Sequence, residues 1–327
     1  MSSHEKFTLS VVVPAYNEEE GLSEFHRRIT AVLENLDVDW EVLYVNDGSN
    51  DGTLSVMSGF NDPRVAIIDL SRNFGKEIAM TAGLDHARGD AVVVIDADLQ
   101  DPPELIPELV RRWREGFDVV YARRTARDGE TFVKKATAKL FYRAIQFLSR
   151  VKIPADTGDF RLLSRRAVEA LKLLRERHRF MKGLFAWIGY PQVAVYYHRD
   201  PRFAGKTKWN YWHLWNFALE GITSFSIGPL KIATYVGLLT AFASFIAAGV
   251  ITYKTIVYGD PVRGYPSLMV VMLFLGGVQL MSLGMIGEYL SRMFNETKRR
   301  PLYLVNRFVP SSLAQENGQL APLFVRH

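Results

Sequence analysis

The amino-acid sequence predicts an α/β domain with a mostly parallel sheet, followed by an amphipathic helix and a hairpin of two long apolar helices. Three observations carry this. Short apolar runs alternate with helical patterns through the first part of the chain, one of those runs breaks directly into paired carboxylates, and two nearly uncharged stretches follow one another further on.

The strand candidates are LSVVVPAY, WEVLYVNDGS, VAIIDLS, AVVVIDAD and FDVVYARR. Helical-length segments separate them, which implies parallel strands joined by crossover helices. Ligands of open α/β sheets collect beyond the carboxyl ends of the strands. That edge should carry Pro14 to Glu18, Asn46 to Ser49, Arg72 to Lys76, Asp96 to Gln100, and Arg123. After the first strand the chain reads PAYNEEEG. No G-x-G-x-x-G occurs there, so a dinucleotide oxidoreductase loses its main signature. The middle of the chain, about 125–210, mixes basic helical sequence with an irregular segment, PADTGDFRLLS.

The stretch VVVIDADLQDPPE is the most informative. In extended geometry Asp96, Asp98 and Gln100 fall on one side of the backbone, so their oxygens can converge on one hard cation. Such donors suit Mg²⁺ or Mn²⁺, and an ion with few protein ligands keeps positions that a diphosphate can fill. The alternative is that Asp96 and Asp98 only cap the turn before a helix at Glu104. Tyr16 and Glu18 after the first strand offer a ring and a carboxylate to a base and ribose, and Asp47 ends the second strand similarly.

The chain has 327 residues, a formal charge of +5 and no cysteine. Disulfides, thiolate metal sites and thiol nucleophiles are therefore excluded. Lys and Arg are spread over the first part and then gathered beside apolar segments, a placement that favours an anionic membrane surface or phosphorylated ligands over nucleic acid. MSSHEKFTLSVVVP lacks a long apolar core. No cleaved signal peptide is expected, and the first domain should be cytosolic.

Ile232 to Tyr253 and Ser267 to Gly287 are each long enough, at about 1.5 Å per residue, to cross a hydrocarbon core of about 30 Å. A short connector holding Asp260, Pro261 and Gly264 makes them a helical hairpin. Arg202, Lys206, Lys208 and Lys231 precede the pair and Arg292, Lys298, Arg299 and Arg300 follow it, against only Lys254 and Arg263 between. Positive-inside bias puts both chain ends in the cytoplasm. Before the hairpin, Trp209, Trp212, Trp215, Leu219 and Ile222 form one helical stripe, suited to the headgroup region or to packing on the first domain.

Taken together, these motifs resemble the family 2 glycosyltransferases with a GT-A fold, and within them the polyprenyl-phosphate glycosyltransferases. The likeness is to bacterial bactoprenol-phosphate glucosyltransferases of O-antigen modification, with dolichol-phosphate mannose synthases more distant. It runs from VVVPAYNEE through SRNFGKEIAMTAGLDHARGD and DADLQDPPELI to the paired spans. The resemblance implies a GT-A catalytic domain over 1–208, an interfacial amphipathic helix over 209–230, two transmembrane helices within 231–290 and a cytosolic tail over 291–327. It implies a nucleotide pocket at Pro14, Ala15, Tyr16, Glu18 and Asp47, and a metal site for Mg²⁺ or Mn²⁺ at Asp96, Asp98 and Gln100. Lys76 and Arg123 match basic positions lining the donor and acceptor phosphates, and RFAGKTKWN matches a basic loop that puts Arg202 and Lys208 on the donor phosphates. Asn46 departs from the second Asp usual in mannose synthases, Lys134 and Lys135 have no assigned role, and Asp156 and Asp159 match the loop that supplies a catalytic acid in hydroxyl-accepting relatives.

The expected activity is transfer of glucose from UDP-glucose to undecaprenyl phosphate on the cytoplasmic face of a bacterial inner membrane, with inversion. Asp98, Asp159, Arg123, Arg202 and Lys208 carry it. An ionised lipid phosphate needs no base, so Asp159 orients basic groups or the sugar. Relatives suggest a homo-oligomer. The rival readings are transfer of mannose or a modified pentose, and a membrane scaffold that binds nucleotide-sugars or lipids without catalysis. A processive synthase is disfavoured by the absence of Q-x-x-R-W.

Overall fold

A computed structural model of the protein describes residues 7–124, 157–177, 179–197 and 264–313, with isolated positions between 235 and 258. In chain order the strands are β1 (Thr8–Ala15), β2 (Asp39–Asn46), β3 (Val65–Leu70), β4 (Ala91–Val94), β5 (Val119–Arg124), β6 (Thr157–Ser164), β7 (Gln192–Tyr197) and β8 (Val305–Val309). The helices are α1 (Glu19–Glu34), α2 (Thr53–Ser58), α3 (Lys76–His86), α4 (Ile106–Arg114), α5 (Arg165–Leu173), α6 (Met181–Trp187) and α7 (Tyr265–Thr297). The eight described strands join one sheet in the order β7-β5-β6-β4-β1-β2-β3-β8.

The centre of the sheet is parallel, as the alternating pattern predicts. β1 pairs with β2 and with β4, and β2 with β3, all parallel. Along β1, Val11 and Val13 enter the core on one face and Val12 the core on the other, the period-two consequence of a strand covered on both sides. On the first face α1 buries Leu22, Phe25, Ile29 and Leu33 at helical spacing, each contributing about 1.5–3 kcal/mol. On the second face α3 lies so close to β1 that a Cβ on Gly83 would come within 2.2 Å of Val12 Cγ1. This approach fixes α3, and with it the position of Lys76.

Three strands lie outside the sequence-based expectation. Thr157–Ser164, within the segment read as irregular, is β6, antiparallel to both β4 and β5. Asp159 and Arg161 alternate there with Phe160 and Leu162, and the charged pair reads as loop, yet all four are buried. β7 pairs parallel with β5 at one edge of the sheet. The segment 291–327 is more than a tail, because it contains β8, which pairs antiparallel with β3 at the opposite edge.

The residues around β8 bind the domain along their length. Arg177 N donates to Glu296 Oε1 at 2.7 Å, and the Arg177 guanidinium reaches the Arg300 carbonyl. Tyr303 is buried among Met80 and Leu84, and its hydroxyl donates to Asp85 Oδ2 at 2.9 Å. Ser71 N donates to Leu304 O at 2.9 Å, and Ser311 Oγ to the buried Glu41 at 2.5 Å. Glu41 also accepts from Ser10 Oγ at 2.6 Å, so it ties Ser311 to β1 and β2.

The second expected span falls on α7, which is 33 residues long. At about 1.5 Å per residue it extends about 50 Å, and Leu268, Met272, Phe274, Leu280 and Met281 lie exposed along it. Several of its side chains, and most of 198–264, lie outside the described residues, including the tryptophan stripe and half of the first span. Among the described residues no helix is long and apolar enough to cross a membrane.

Candidate active site

The loops after β1 and β2 are joined by hydrogen bonds. Asn17 takes a left-handed φ of 55°, a conformation asparagine tolerates. Its N–H donates to Ser49 Oγ at 3.0 Å, while its Oδ1 accepts from Asn50 N at 2.9 Å. Glu18 N donates to Thr53 Oγ1 at 2.9 Å. Pro14 and Ala15 sit in β1 beside Val45 and Asn46, and Tyr16 and Glu18 are half-buried just beyond the sheet edge. The expected nucleotide residues are thus brought together at the carboxyl ends of β1 and β2.

Asp47 has an additional task. Its carboxylate accepts from Phe74 N at 2.7 Å and Gly75 N at 2.9 Å, so it pins the loop after β3 against the loop after β2. Burial raises its carboxyl above the usual range, against the pull of those two amides. Gly48 makes this approach possible. Its φ is 63°, and a Cβ there would stand 2.3 Å from the Arg72 carbonyl carbon.

Asn46 is explained by its partners. Its Nδ2 donates to Asp69 Oδ1 at 2.7 Å, and its Oδ1 accepts from Ser49 N at 3.2 Å. A second Asp at 46 would set two carboxylates against each other in a buried position.

The extended geometry expected for the D-x-D is corrected by the structure. β4 ends at Val94, and the residues from Asp96 onward form a turn in which Leu99 has a φ of 58°. Asp98 Oδ1 accepts from Gln100 N at 3.1 Å, as a turn-forming Asp does. The pairing of β4 with β1 ends here, where Ile95 N donates to Val12 O at 3.1 Å. The residues expected to hold the metal therefore stay on one loop without sharing one face of a strand. Among the described residues no three His, Cys, Asp or Glu side chains converge as a metal cage. The oxygen-only donors of Asp96, Asp98 and Gln100 fit a hard cation that takes its remaining ligands from phosphate and water.

Asp96 belongs to a second constellation. Antiparallel register pairs Val94 with Arg161, so two residues further on Asp96 and Asp159 stand side by side. Lys76, at the first turn of α3, inserts its ammonium between them. Nζ donates to Asp96 Oδ2 at 2.7 Å and to Asp159 Oδ2 at 2.5 Å. A lysine at a helix N-terminus opposes the helix dipole, and these two carboxylates offset that. Burial would raise the Asp159 carboxyl, but Lys76, followed by Lys182, overrides it and holds this group well below the usual carboxylate range. Burial raises Asp96 instead. Burial and the charge of Asp159 push Glu77 up to about 8, its Oε2 accepting from Met181 N at 3.2 Å. Arg161 closes the floor, with its guanidinium 3.8 Å over the Phe185 ring and donating to Gly158 O at 2.9 Å. Burial pushes it down to about 10, so it stays charged near neutrality.

Arg123, at the end of β5, packs its guanidinium over the ring of Tyr196 at 5.7 Å. Next to it Arg124 Nε contacts the Tyr197 hydroxyl at 3.4 Å, and that hydroxyl donates to the buried Asp101. Arg202, Lys208, Lys134, Lys135 and Asp156 lie outside the described residues. The sequence reading missed Asp101, Glu77, Arg161 and Tyr197. Asp101 lies inside the DADLQDPPE run, and Arg161 and Tyr197 follow alternating apolar positions, the one signal that pointed to them.

The chain matches two family models, "Glycosyl transferase family 2" over residues 10–172 and "GtrB C-terminal hairpin" over residues 219–293. It is 57% identical to an uncharacterized glycosyltransferase of Synechocystis sp., over 91% of this chain and 94% of that one. It is 46% identical to an uncharacterized glycosyltransferase of Bacillus subtilis, over 94% and 95%. It is also 48% identical to a prophage-derived bactoprenol glucosyl transferase of Shigella flexneri, over 91% and 97%. With these relatives matched along almost their whole length, the sheet-edge loops and the hairpin segment are those of a shared family, and the chain belongs to glycosyl transferase family 2.

Proposed function

We propose that this chain transfers glucose from UDP-glucose to undecaprenyl phosphate, with inversion, on the cytoplasmic face of a bacterial inner membrane. Relatives carrying the name bactoprenol glucosyl transferase support both the sugar and the acceptor. The observation that carries the mechanism is the bond between Lys76 and Asp159. Asp159 is the carboxylate best placed to serve as a base, and Lys76 makes it a poor one. An acceptor that is already an anion has no proton to lose and fits this site, whereas a sugar hydroxyl does not.

In this reading Tyr16, Glu18 and the backbone around Pro14 and Ala15 hold the nucleotide, and Lys76 lies where donor and acceptor phosphates meet. Arg123, Arg202 and Lys208 orient phosphate oxygens for in-line attack. Asp96, Asp98 and Gln100 would hold Mg²⁺ or Mn²⁺, which when bound neutralises the departing diphosphate. The match to a hairpin family over 219–293 and the apolar length of 267–287 support two membrane spans, at about 232–253 and 267–287, after an interfacial helix. Positive-inside bias supports cytoplasmic termini. A homo-oligomer is proposed, with no nucleic-acid partner.

The test is incubation of the purified protein in detergent with radiolabelled UDP-glucose and undecaprenyl phosphate. A lipid-linked glucose that is labile to mild acid is expected, and Asp159→Asn is expected to slow its formation without gaining a new alkaline optimum. Rescue of that variant by high pH would reveal a needed base and refute the phosphate-nucleophile reading.

A further inference from the structure

Asp69 is a carboxylate only 5% exposed, at the end of β3, and among the described residues it forms no ion pair. Its two oxygens are held by two carboxamides. Asn46 Nδ2 donates to Oδ1 at 2.7 Å, and Asn306 Nδ2, from β8, donates to Oδ2 at 2.8 Å. A carboxylate only accepts, so both amides must turn their nitrogens toward it. The orientation of Asn46 then leaves its Oδ1 facing the backbone of the next loop, where it accepts from Ser49 N at 3.2 Å. Ser49 Oγ in turn accepts from Asn17 N, and Asn17 Oδ1 from Asn50 N. A continuous polar relay therefore runs from the C-terminal strand to both loops at the carboxyl ends of β1 and β2.

We infer that Asn306 is a positioning residue for the nucleoside-diphosphate donor, acting through Asp69 and Asn46 on the loops that bear Tyr16, Glu18 and Ser49. Asn306 does not touch the donor. It sets the rotamer of Asp69, and Asp69 sets the side of Asn46 that faces Ser49. This rests on the reading that UDP-glucose binds at the carboxyl ends of β1 and β2.

The experiment compares Asn306→Asp, Asn306→Ser and the exchange pair Asp69→Asn with Asn306→Asp in the full-length protein. Donor KM, acceptor KM, kcat and Tm are measured for each. Asn306→Asp places a carboxylate against Asp69 and is expected to raise the UDP-glucose KM about tenfold, and Asn306→Ser about threefold, with the undecaprenyl phosphate KM unchanged. The exchange pair restores one donor and one acceptor at each contact, so its donor KM is expected within about twofold of wild type. An unchanged donor KM in folded Asn306→Ser would overturn the inference. Equal rises in donor and acceptor KM, tracking a fall in Tm, would also overturn it, because general loosening has no preference for one substrate. If the wild-type protein fails to turn over UDP-glucose at all, the donor reading itself falls, and the relay with it.

Discussion

Replacing Lys76 with Met removes the ammonium while keeping much of its apolar stem, and it leaves Asp96 and Asp159 facing each other. Two oxygens that share one Nζ at 2.7 and 2.5 Å lie within about 5 Å of each other, where two unit charges repel by about 3 kcal/mol at an effective dielectric of about 20. The Lys76 side chain is 44% exposed, so water entering the site screens this to about 2 kcal/mol, between surface and buried values. For a domain of this size that corresponds to a Tm lowered by about 4–8 °C. The pH dependence gives the sharper test. In the wild type the Asp159 carboxyl is held below its unfolded value, so its stabilisation is full above the unfolded pKa of about 3.9 and is lost only as pH falls through the folded value. In Lys76→Met burial is no longer opposed, one of the two carboxyls moves up, and it takes a proton as pH falls. The Tm gap between wild type and variant is therefore expected to be widest from pH 7 to 9 and to narrow toward pH 5. Thermal unfolding in detergent across that range measures it. A gap that stays constant with pH, or no gap, would refute the assignment of Lys76 as the cation for both carboxylates.

Gly48→Ala is expected to cost about 1–3 kcal/mol and to raise the UDP-glucose KM, because its Cβ meets the Arg72 backbone and its φ is 63°. Denaturant unfolding alongside donor kinetics checks both. Asp98→Asn is expected to abolish transfer while leaving a folded, membrane-inserted protein; near-normal turnover at saturating Mg²⁺ or Mn²⁺ would refute its role as a metal ligand. The chain lacks cysteine, so single cysteines report topology cleanly. In intact cells an impermeant thiol reagent is expected to label Asp260→Cys and to spare Ser2→Cys.

Where a local pattern repeats, the sequence states the structure openly. The parallel core was legible because β1, β2, β3 and β4 are mainly apolar runs between helical segments, and the Asp96 to Gln100 loop because charge follows directly on an apolar run. β6 was not legible, since Asp159 and Arg161 alternate with Phe160 and Leu162 and read as loop. Their burial becomes intelligible only once Lys76, distant in sequence, supplies a counter-charge. β8 was equally hidden. VNRFV is short, its exposed Arg307 and Asn306 mask the alternation, and its partner β3 lies far back along the chain. The departure at Asn46 was visible as a letter, but its reason required Asp69. Short-range periodicity marks elements, while pairings across long chain separations, which set Asp159 beside Asp96, leave no local trace.

The two outer strands of the sheet have a consequence for the order in which the protein is made. β7 closes one edge and β8 the other, and they flank residues 198–304 in the chain. β3 is synthesised early, yet its neighbour arrives from a position 237 residues later at the Asp69–Asn306 contact. During translation β3 therefore presents an open edge, able to pair with other chains, until α7 has been completed. The loop closed by β8 is long, but the entropic cost of closing it rises only logarithmically with length, so α7 delays sealing of the sheet without making it unfavourable. Among the described strands, β8 thus acts as a completion mark. A chain truncated before Val305 keeps the other seven described strands and leaves the β3 edge unsealed.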